Sequence, residues 1–453
     1  MKLTRLFAVT ITTVLLVAGG FVAGFLLPDV VTADSSGKLV ASLQLLPERI
    51  QQLAGPSNRD DQSLPIVDTY WSVLSQLSNN YYGKKIDQRE MTYAAVRGML
   101  EALGDPYTRF LAPKDYKDMR EQNEGDFVGI GAHLETDPKT HQVYIKKPVD
   151  PSPAKEAGLL PHDVIVKVDG KPIAGLDIEV VVKKIRGLEG TKVRLTIQRP
   201  KAPKLMEFVI TRRVVQIEIV DYRMLDQKQK IGYIQLSGFN EQSDTQLNKA
   251  LTELEKIGMK ALVLDLRDNP GGLLTQAVDV GSRFVDHGPI VIIQERNGKK
   301  TPLNVEQDKH NHKRYPLVVL INDHSASASE IVSGAIRDNK AGTLVGTRTY
   351  GKGKVQTIVP LSDGSAVSIT TAKYLTPNGT DINNIGTTRV GIKPDVELEN
   401  PDPNDPKYDK VKFDPEDPKN DLQLIRAQEI LKEKLKLASA RSDLTWGSGR
   451  SSE

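Results

Sequence analysis

Three serines, Ser325, Ser327 and Ser329, stand in the stretch NDHSASASEIVSGAIRD, directly after the apolar run PLVVLI and directly before a helical pattern. This places a hydroxyl at a helix N-terminus above the carboxyl edge of a sheet. There, free N–H groups and the positive end of the helix dipole would stabilise an alkoxide or the oxyanion of an acyl intermediate. A serine before a helix is ordinarily only an N-cap, so a chemical reading also needs a base. Two residues offer one. His324 lies three positions from Ser327 and would build a Ser-His-Asp triad. Lys352 stands between glycines in GTRTYGKGKVQ, and an amine buried enough to shed its proton near neutrality would serve as well. The flanking glycines let the backbone at Lys352 run close to the serine turn.

Other chemistries fit less well. Gly346 to Lys352 follows a Walker loop until the last position, where Gly353 replaces the hydroxyl residue that would hold magnesium. The segment VQTIVPL that follows reads as a strand, whereas a phosphate loop must open a helix. Ser35 to Lys38 spells S-x-x-K, but no K-T-G follows anywhere. The chain has no cysteine, which removes thiol nucleophiles and thiolate zinc sites. His310 and His312 form the closest histidine pair, without an HExxH pattern, and read as loop polarity; no metal and no organic cofactor is expected. A net charge of +3, spread without a basic block, gives no reason to expect nucleic acid.

The elements that must position these residues are legible in outline. Val67, Tyr70, Trp71, Leu74, Leu77 and Tyr81 recur at helical spacing, and Tyr93, Val96, Leu100 and Leu103 do so again before the turn GDPYTRFL. From Phe127 short strands take over, with a DG hairpin signal at Asp169 and Gly170 and one helix carrying Ile178, Val181, Val182 and Ile185. The adjacent glycines of GIGA, Gly129 to Ala132, leave backbone N–H groups uncovered, as a carboxylate-binding loop requires. After a Pro-marked link at Pro200 to Lys204, strands alternate with helices, which predicts an α/β unit with a largely parallel sheet. A late helix carries Leu424, Ala427, Leu431 and Leu435 on one stripe, able to pack on its own domain or to pair subunits, and the final LTWGSGRSSE is expected to lack order.

At these residues the chain resembles the carboxyl-terminal processing (tail-specific) proteases, the Ser/Lys peptidases of the S41 group. The matching motifs are SASASEI, TYGKGKVQ, DLRDNPGG, TAKYLTPNG and GIKPD, spread over a resemblance from Leu64 to Glu399. The resemblance implies a crotonase-like α/β core with a PDZ domain and a helical N-terminal domain. Ser327 would be the nucleophile and Lys352, 25 positions on, the general base, with Gln356 orienting the amine. Ala328, Gly271 and Gly272 would form the oxyanion hole, with the substrate added as a strand beside the serine. Gly129, Ile130, Gly131 and Ala132 would hold a substrate's terminal carboxylate, and Arg186 would connect the PDZ position to the dyad through Gln356. Asp268 and Tyr350 depart from the residues common in the family, Asn and Phe. The implied parts are a signal or anchor at 1–33, a linker at 34–63, a helical domain at 64–126, the PDZ domain at 127–200, the core at 201–398 and a tail at 399–453.

Lys2 and Arg5 precede an uncharged run from Leu6 to Leu27, long enough to cross a bilayer of about 30 Å, which predicts export to the periplasm or cell envelope, with VTAD at Val31 to Asp34 a site for signal cleavage. Expected partners are unfolded or C-terminally exposed envelope proteins, an adaptor protein, the membrane through the N-terminal segment, and further copies of the chain. Two other functions fit the same sequence: a non-catalytic PDZ scaffold of the envelope, and a Ser-His-Asp peptidase using His324.

Overall fold

The structure, a computed structural model, describes residues 65–401 and 420–447. The N-terminal apolar run, the linker and the S-x-x-K at Ser35 lie outside the described residues, and so do the last six residues. Among the described residues no helix is long and apolar enough to cross a membrane. The described chain forms two units, the first ending at Gln88 and the second beginning at Arg89. The first contains α1 (Pro65–Asn80), at the predicted position.

All but the first residue of α2 (Gln88–Glu101) belongs to the second unit, which continues with β1 (Arg109–Leu111) and α3 (Pro113–Glu124). α3 has no buried residue and hence no apolar stripe for periodicity to find. Its ends carry signals all the same: Pro at the first turn, and Gly125 in the left-handed conformation (φ 78°) donating to Glu121 O. β2 (Asp126–Gly129) pairs with β9 (Arg213–Gln216) as a two-stranded ribbon. Between them lies an antiparallel sheet built from β3 (Ala132–Thr136), β4 (Val143–Pro148), β5 (Val164–Val168), β6 (Lys171–Pro172), β7 (Lys192–Gln198) and β8 (Met206–Thr211). A single-turn α4 (Pro153–Glu156) and α5 (Ile178–Ile185) complete it. Asp169 and Gly170 both take positive φ in the β5–β6 turn, as the DG signal requires. One expectation is corrected: Pro200 to Lys204 is no interdomain link but the loop of the β7–β8 hairpin, so this domain extends through Thr211.

The remaining chain forms two further sheets. The first has the order β10 (Val220–Asp226), β11 (Ile231–Leu236), β12 (Ala261–Asp265), β15 (Leu317–Ile321), β16 (Thr343–Gly346) and β19 (Val396–Glu397), parallel except for β10. Every residue of β12 and β15 is buried, because both faces are covered. Leu262, Leu264 and Val319 pack against α6 (Ser243–Lys256), α7 (Leu274–Ser282) and α8 (Ala328–Asp338). Ala261, Val263, Val318 and Leu320 face the other way, onto Leu424, Ala427, Ile430 and Leu431 of α9 (Leu422–Gly447). The apolar stripe of α9 thus packs on its own domain, and the helix includes the first residues of the LTWG segment expected to lack order.

The expectation of one largely parallel sheet needs a second correction. β13 (Pro289–Glu295), β14 (Lys300–Asn304), β17 (Lys354–Pro360) and β18 (Ala366–Leu375) join β1 in a separate, wholly antiparallel sheet. β17 and β18 are joined by a tight hairpin, in which Leu361 N–H donates to Ser365 O, and so short a connection cannot join parallel strands. GDPYTRFL, predicted as a turn, supplies β1, paired through Arg109 and Ser368 to one edge of β18 while β17 takes the other.

Candidate active site

β15 ends at Ile321, and α8 begins at Ala328, with Ser327 at its N-cap in a strained conformation of φ 54° and ψ −113°. The three serines now separate by role. Ser325 Oγ donates to Leu266 O at 2.8 Å and Ser329 Oγ to Asn269 O at 2.9 Å, both buried, so these two fasten the turn to the segment after β12. Ser327 instead lines a cavity of about 500 Å³, together with Arg109, Gln122, Gly272, Lys352 and Gln356.

A buried carboxylate holds the two halves of the site together. Glu330, fully buried, accepts from Ser327 N–H (2.8 Å) and Lys352 N–H (2.9 Å) on one oxygen, and from Gly351 N–H (2.7 Å) and the Thr349 hydroxyl (2.6 Å) on the other. Thr349 Oγ1 in turn accepts Ile392 N–H at 2.6 Å. Burial pushes the Glu330 pKa up, and its four hydrogen bonds pull against that shift by satisfying the ionised form. On the other side the Tyr374 hydroxyl reaches Ser327 O at 3.0 Å and also Lys352 O, joining the same two residues through their carbonyls.

Lys352 N–H is therefore fixed while its amine projects into the cavity. Nζ makes no hydrogen bond or ion pair among the described residues and lies 5.0 Å from the centre of the Tyr107 ring. Burial lowers the Lys352 pKa, Arg109 lowers it further, and Glu330 opposes them. An amine so placed is closer to its neutral, proton-accepting form than an ordinary lysine.

The glycine turn beside the serine has no room for side chains. A Cβ on Gly271 (φ 97°) would stand 2.8 Å from both Ser327 Cβ and Ala328 N, and one on Gly272 (φ 148°) 1.9 Å from Phe239 O. Gly271 N–H donates to Asn269 Oδ1 at 2.9 Å, so of the three donors the resemblance implies, it is already committed. Ala328 and Gly272 have no hydrogen bond from their N–H among the described residues.

Two further expectations meet a different geometry. Gln356 lines the cavity, but its Nε2 donates to Thr370 Oγ1 at 3.4 Å, its register partner on β18, rather than being bonded to the amine. Arg186, at the end of α5, does not reach Gln356. It pairs with Glu121 of α3 at 2.8 Å and lies 4.7 Å from the centre of the Phe127 ring. Its route to the site runs through α3, which contributes Met119, Gln122 and Asn123 to the cavity. His324 is 72% exposed, bonds Asp268 Oδ1 at 3.2 Å, and is absent from the cavity wall, so no triad is assembled around it. In the PDZ domain, Gly129 ends β2 and Ala132 opens β3. Between them Ile130 and Gly131 (φ 72°) make no hydrogen bond through their N–H groups among the described residues, and their carbonyls accept from Ala154 N–H and Val149 N–H.

Sequence reasoning missed Glu330, Thr349, Tyr374, Tyr107 and Arg109 as parts of the site. Glu330 carried a readable signal, since S-x-x-E from Ser327 is a capping box, and its carboxylate does accept the N-cap N–H. Thr349 and Tyr374 stand inside the motifs TYGKGKVQ and TAKYLTPNG, whose letters do not disclose what these side chains bond, while Tyr107 and Arg109 come from a turn and a strand far away in sequence.

Residues 230–398 match Peptidase family S41 and residues 145–199 match a PDZ domain. A probable CtpA-like serine protease of Staphylococcus aureus is 37% identical over 352 residues, 78% of this chain and 68% of the relative. A carboxyl-terminal-processing protease of Synechocystis is 37% identical over 327 residues, 72% of this chain and 75% of the relative. Among solved structures, the photosystem II D1 C-terminal processing protease aligns with a TM-score of 0.43 and 34% identity, covering 74% of this chain and 92% of that one. The chain belongs to the carboxyl-terminal-processing proteases of peptidase family S41 and is a serine peptidase carrying a PDZ domain.

Proposed function

We propose that the protein is an exported endopeptidase that captures protein C-termini on its PDZ domain and cleaves them with a Ser327/Lys352 dyad. The observation that carries this reading is the shared cavity, where the strained serine and a half-buried lysine, whose amine makes no ion pair among the described residues, are held through their backbone N–H groups by one carboxylate, Glu330. Ser327 Oγ attacks the scissile carbonyl carbon and its proton passes to Lys352 Nζ. The resulting oxyanion is received by the N–H groups of Ala328 and Gly272. Collapse breaks the C–N bond, the leaving amine takes the proton from Lys352, and water then attacks the acyl ester with the same lysine as base. The N–H groups of Ile130 and Gly131, without a hydrogen bond among the described residues, suit a terminal carboxylate, so unfolded envelope proteins with exposed, apolar C-termini are the substrates of this reading. Export rests on the basic N-terminus and the apolar run from Leu6 to Leu27.

Degradation of an unfolded protein with an apolar C-terminus tests the dyad. Lys352→Ala and Ser327→Ala should each abolish cleavage, and His324→Ala should leave it within about threefold. An active Lys352→Ala or an inactive His324→Ala would overturn the assignment, and binding without cleavage by the unaltered chain would favour a scaffold. Cell fractionation tests export, which fails if the protein stays in the cytosol.

A further inference from the structure

Of the segments that reach the cavity, the turn from Asp105 to Thr108 has no part in the chemistry above. It is nonetheless tightly fixed. Asp105 accepts from Tyr107 N–H (3.4 Å) and from the Thr108 hydroxyl (2.8 Å), and Thr108 Oγ1 accepts Thr370 N–H of β18 at 3.0 Å. Thr370 is the register partner of Gln356, so the turn is docked against the β17–β18 pair that carries one wall of the cavity. The consequence is the position of Tyr107, whose ring centre lies 5.0 Å from Lys352 Nζ. Its phenol interacts electrostatically with that of Tyr350, which stands two residues before Lys352 and is itself held by Tyr350 N–H to Ser325 O (3.0 Å) and Asn384 Nδ2 to Tyr350 O (2.8 Å).

We propose that Tyr107, held by a turn that Thr108 docks onto Thr370, is a positioning residue for the general base: its ring is the wall that seats the Lys352 amine and controls how much water reaches it. This rests on the Ser327/Lys352 reading. A tyrosine face acts on an amine in two opposed ways. It excludes water, which favours the neutral amine, and its negative face attracts the ammonium, which favours the charged one. Removing the ring while keeping the site dry, and removing it while letting water in, must therefore move the amine in opposite directions. The other titratable groups around the amine are Arg109 from β1, Glu330 from α8, Lys354 from β17 and the phenol of Tyr374 from β18. Tyr107 is pushed up to about 12 by burial and by Tyr350, and burial raises Tyr374 well above the ordinary range, so both phenols stay neutral where the amine titrates.

The test is the pH profile of kcat/KM on a peptide substrate, measured on the full chain and its variants. Tyr107→Phe and Tyr350→Phe should lose a few-fold in kcat with the ascending limb within about 0.3 pH units of its original place. Tyr107→Leu should move the limb to lower pH. Tyr107→Ser should move it to higher pH and lose about tenfold at neutral pH for each unit moved, a loss recovered on raising the pH. Limbs that stay put, or that move together in Leu and Ser, overturn the proposal whatever the loss of activity. A second readout does not depend on turnover: in a Ser327→Ala background, the rate at which Lys352 is acetylated by acetic anhydride, read by mass spectrometry, should rise for Tyr107→Leu and fall for Tyr107→Ser at fixed pH after correction for solvent access. If Tyr107→Ser fails to fold, a Leu variant with the limb and modification rate of Phe overturns it. An active Lys352→Met would instead overturn the dyad, and the modification rates would still decide the role of Tyr107.

Discussion

Replacing Glu330 by glutamine tests the claim that one carboxylate sets the positions of both reacting residues. The carboxylate accepts four hydrogen bonds, two on each oxygen. An amide has one acceptor oxygen and one donor nitrogen, so in either orientation two of the four donors face N–H groups. Turned one way, the backbone N–H groups of Ser327 and Lys352 are both left without an acceptor. Turned the other way, the loss falls on Gly351 N–H and the Thr349 hydroxyl, and the hydroxyl can rotate. The second orientation is cheaper and leaves one buried N–H unmet, at about 1–3 kcal/mol. The two bonds that remain also weaken, because they lose their charge assistance, while removing a buried charge offsets part of this. A net destabilisation of about 2–3 kcal/mol follows, or a Tm lower by roughly 3–4 °C for a unit of this size. The catalytic effect should be larger than the stability effect suggests, because displacement of about 1 Å at the reacting atoms costs on the order of a hundredfold. Thermal unfolding and kcat/KM on a peptide measure both in the same preparation. A Glu330→Gln protein with kcat/KM within threefold of the original and an unchanged Tm would refute the reasoning.

Further outcomes follow from the same geometry. Because Lys352 is depressed by burial and by Arg109 and acts as base only when neutral, kcat/KM should rise with pH along a limb below the ordinary lysine range, and Arg109→Gln should shift that limb upward, lowering activity at neutral pH by up to about tenfold. The same depression means that the unfolded chain binds more protons than the native one between the native Lys352 pKa and about 10.4, so stability rises with pH across that window. Lys352→Met should abolish turnover, flatten this slope, and raise the neutral-pH Tm by about 2–4 °C; an unchanged or lower Tm would contradict a costly buried amine. Gly272→Ala should lose essentially all activity and destabilise the fold, since its Cβ would overlap Phe239 O, and a folded, active variant would show that the turn can move. Charge reversal at Arg186 (Arg186→Glu) should change cleavage of long substrates more than of short peptides, with Glu121→Arg in the same chain restoring part of the loss; equal effects on both substrate lengths would count against a route through α3.

What the sequence disclosed depended on how local each signal was. β12 and β15 are continuous apolar runs because both of their faces are covered, and such runs stand out without any tertiary knowledge. α5 and α9 carried stripes legible in the sequence, whereas α3 carried none, because it buries no side chain. The antiparallel sheet was hidden for another reason. Its strands β1, β13 and β18 are far apart in sequence and their partners are set by register alone, so the alternation of strands and helices predicts a single, largely parallel sheet in their place. Ser327 and Lys352 were found through motifs, yet the choice of Ser327 over Ser325 and Ser329 follows in the structure from which hydroxyls are already bonded. Arg186 and Gln356 were read as partners, but each takes a nearer neighbour, Glu121 and Thr370.

The rear face of the parallel sheet has a practical meaning for anyone dissecting this enzyme. Ile231, Tyr233, Val263, Val318, Leu320 and Val345 are kept dry by one helix, and that helix is clasped at its first turn by Arg267, which grips Asp421 and Gln423 as well as Asp265. Cutting the chain after Leu398 would remove no reacting group and yet strip an oily plate bare, an invitation to stick to other copies. The peptidase half cannot be excised at the end of its motifs; its last helix is the floor on which the chemistry stands.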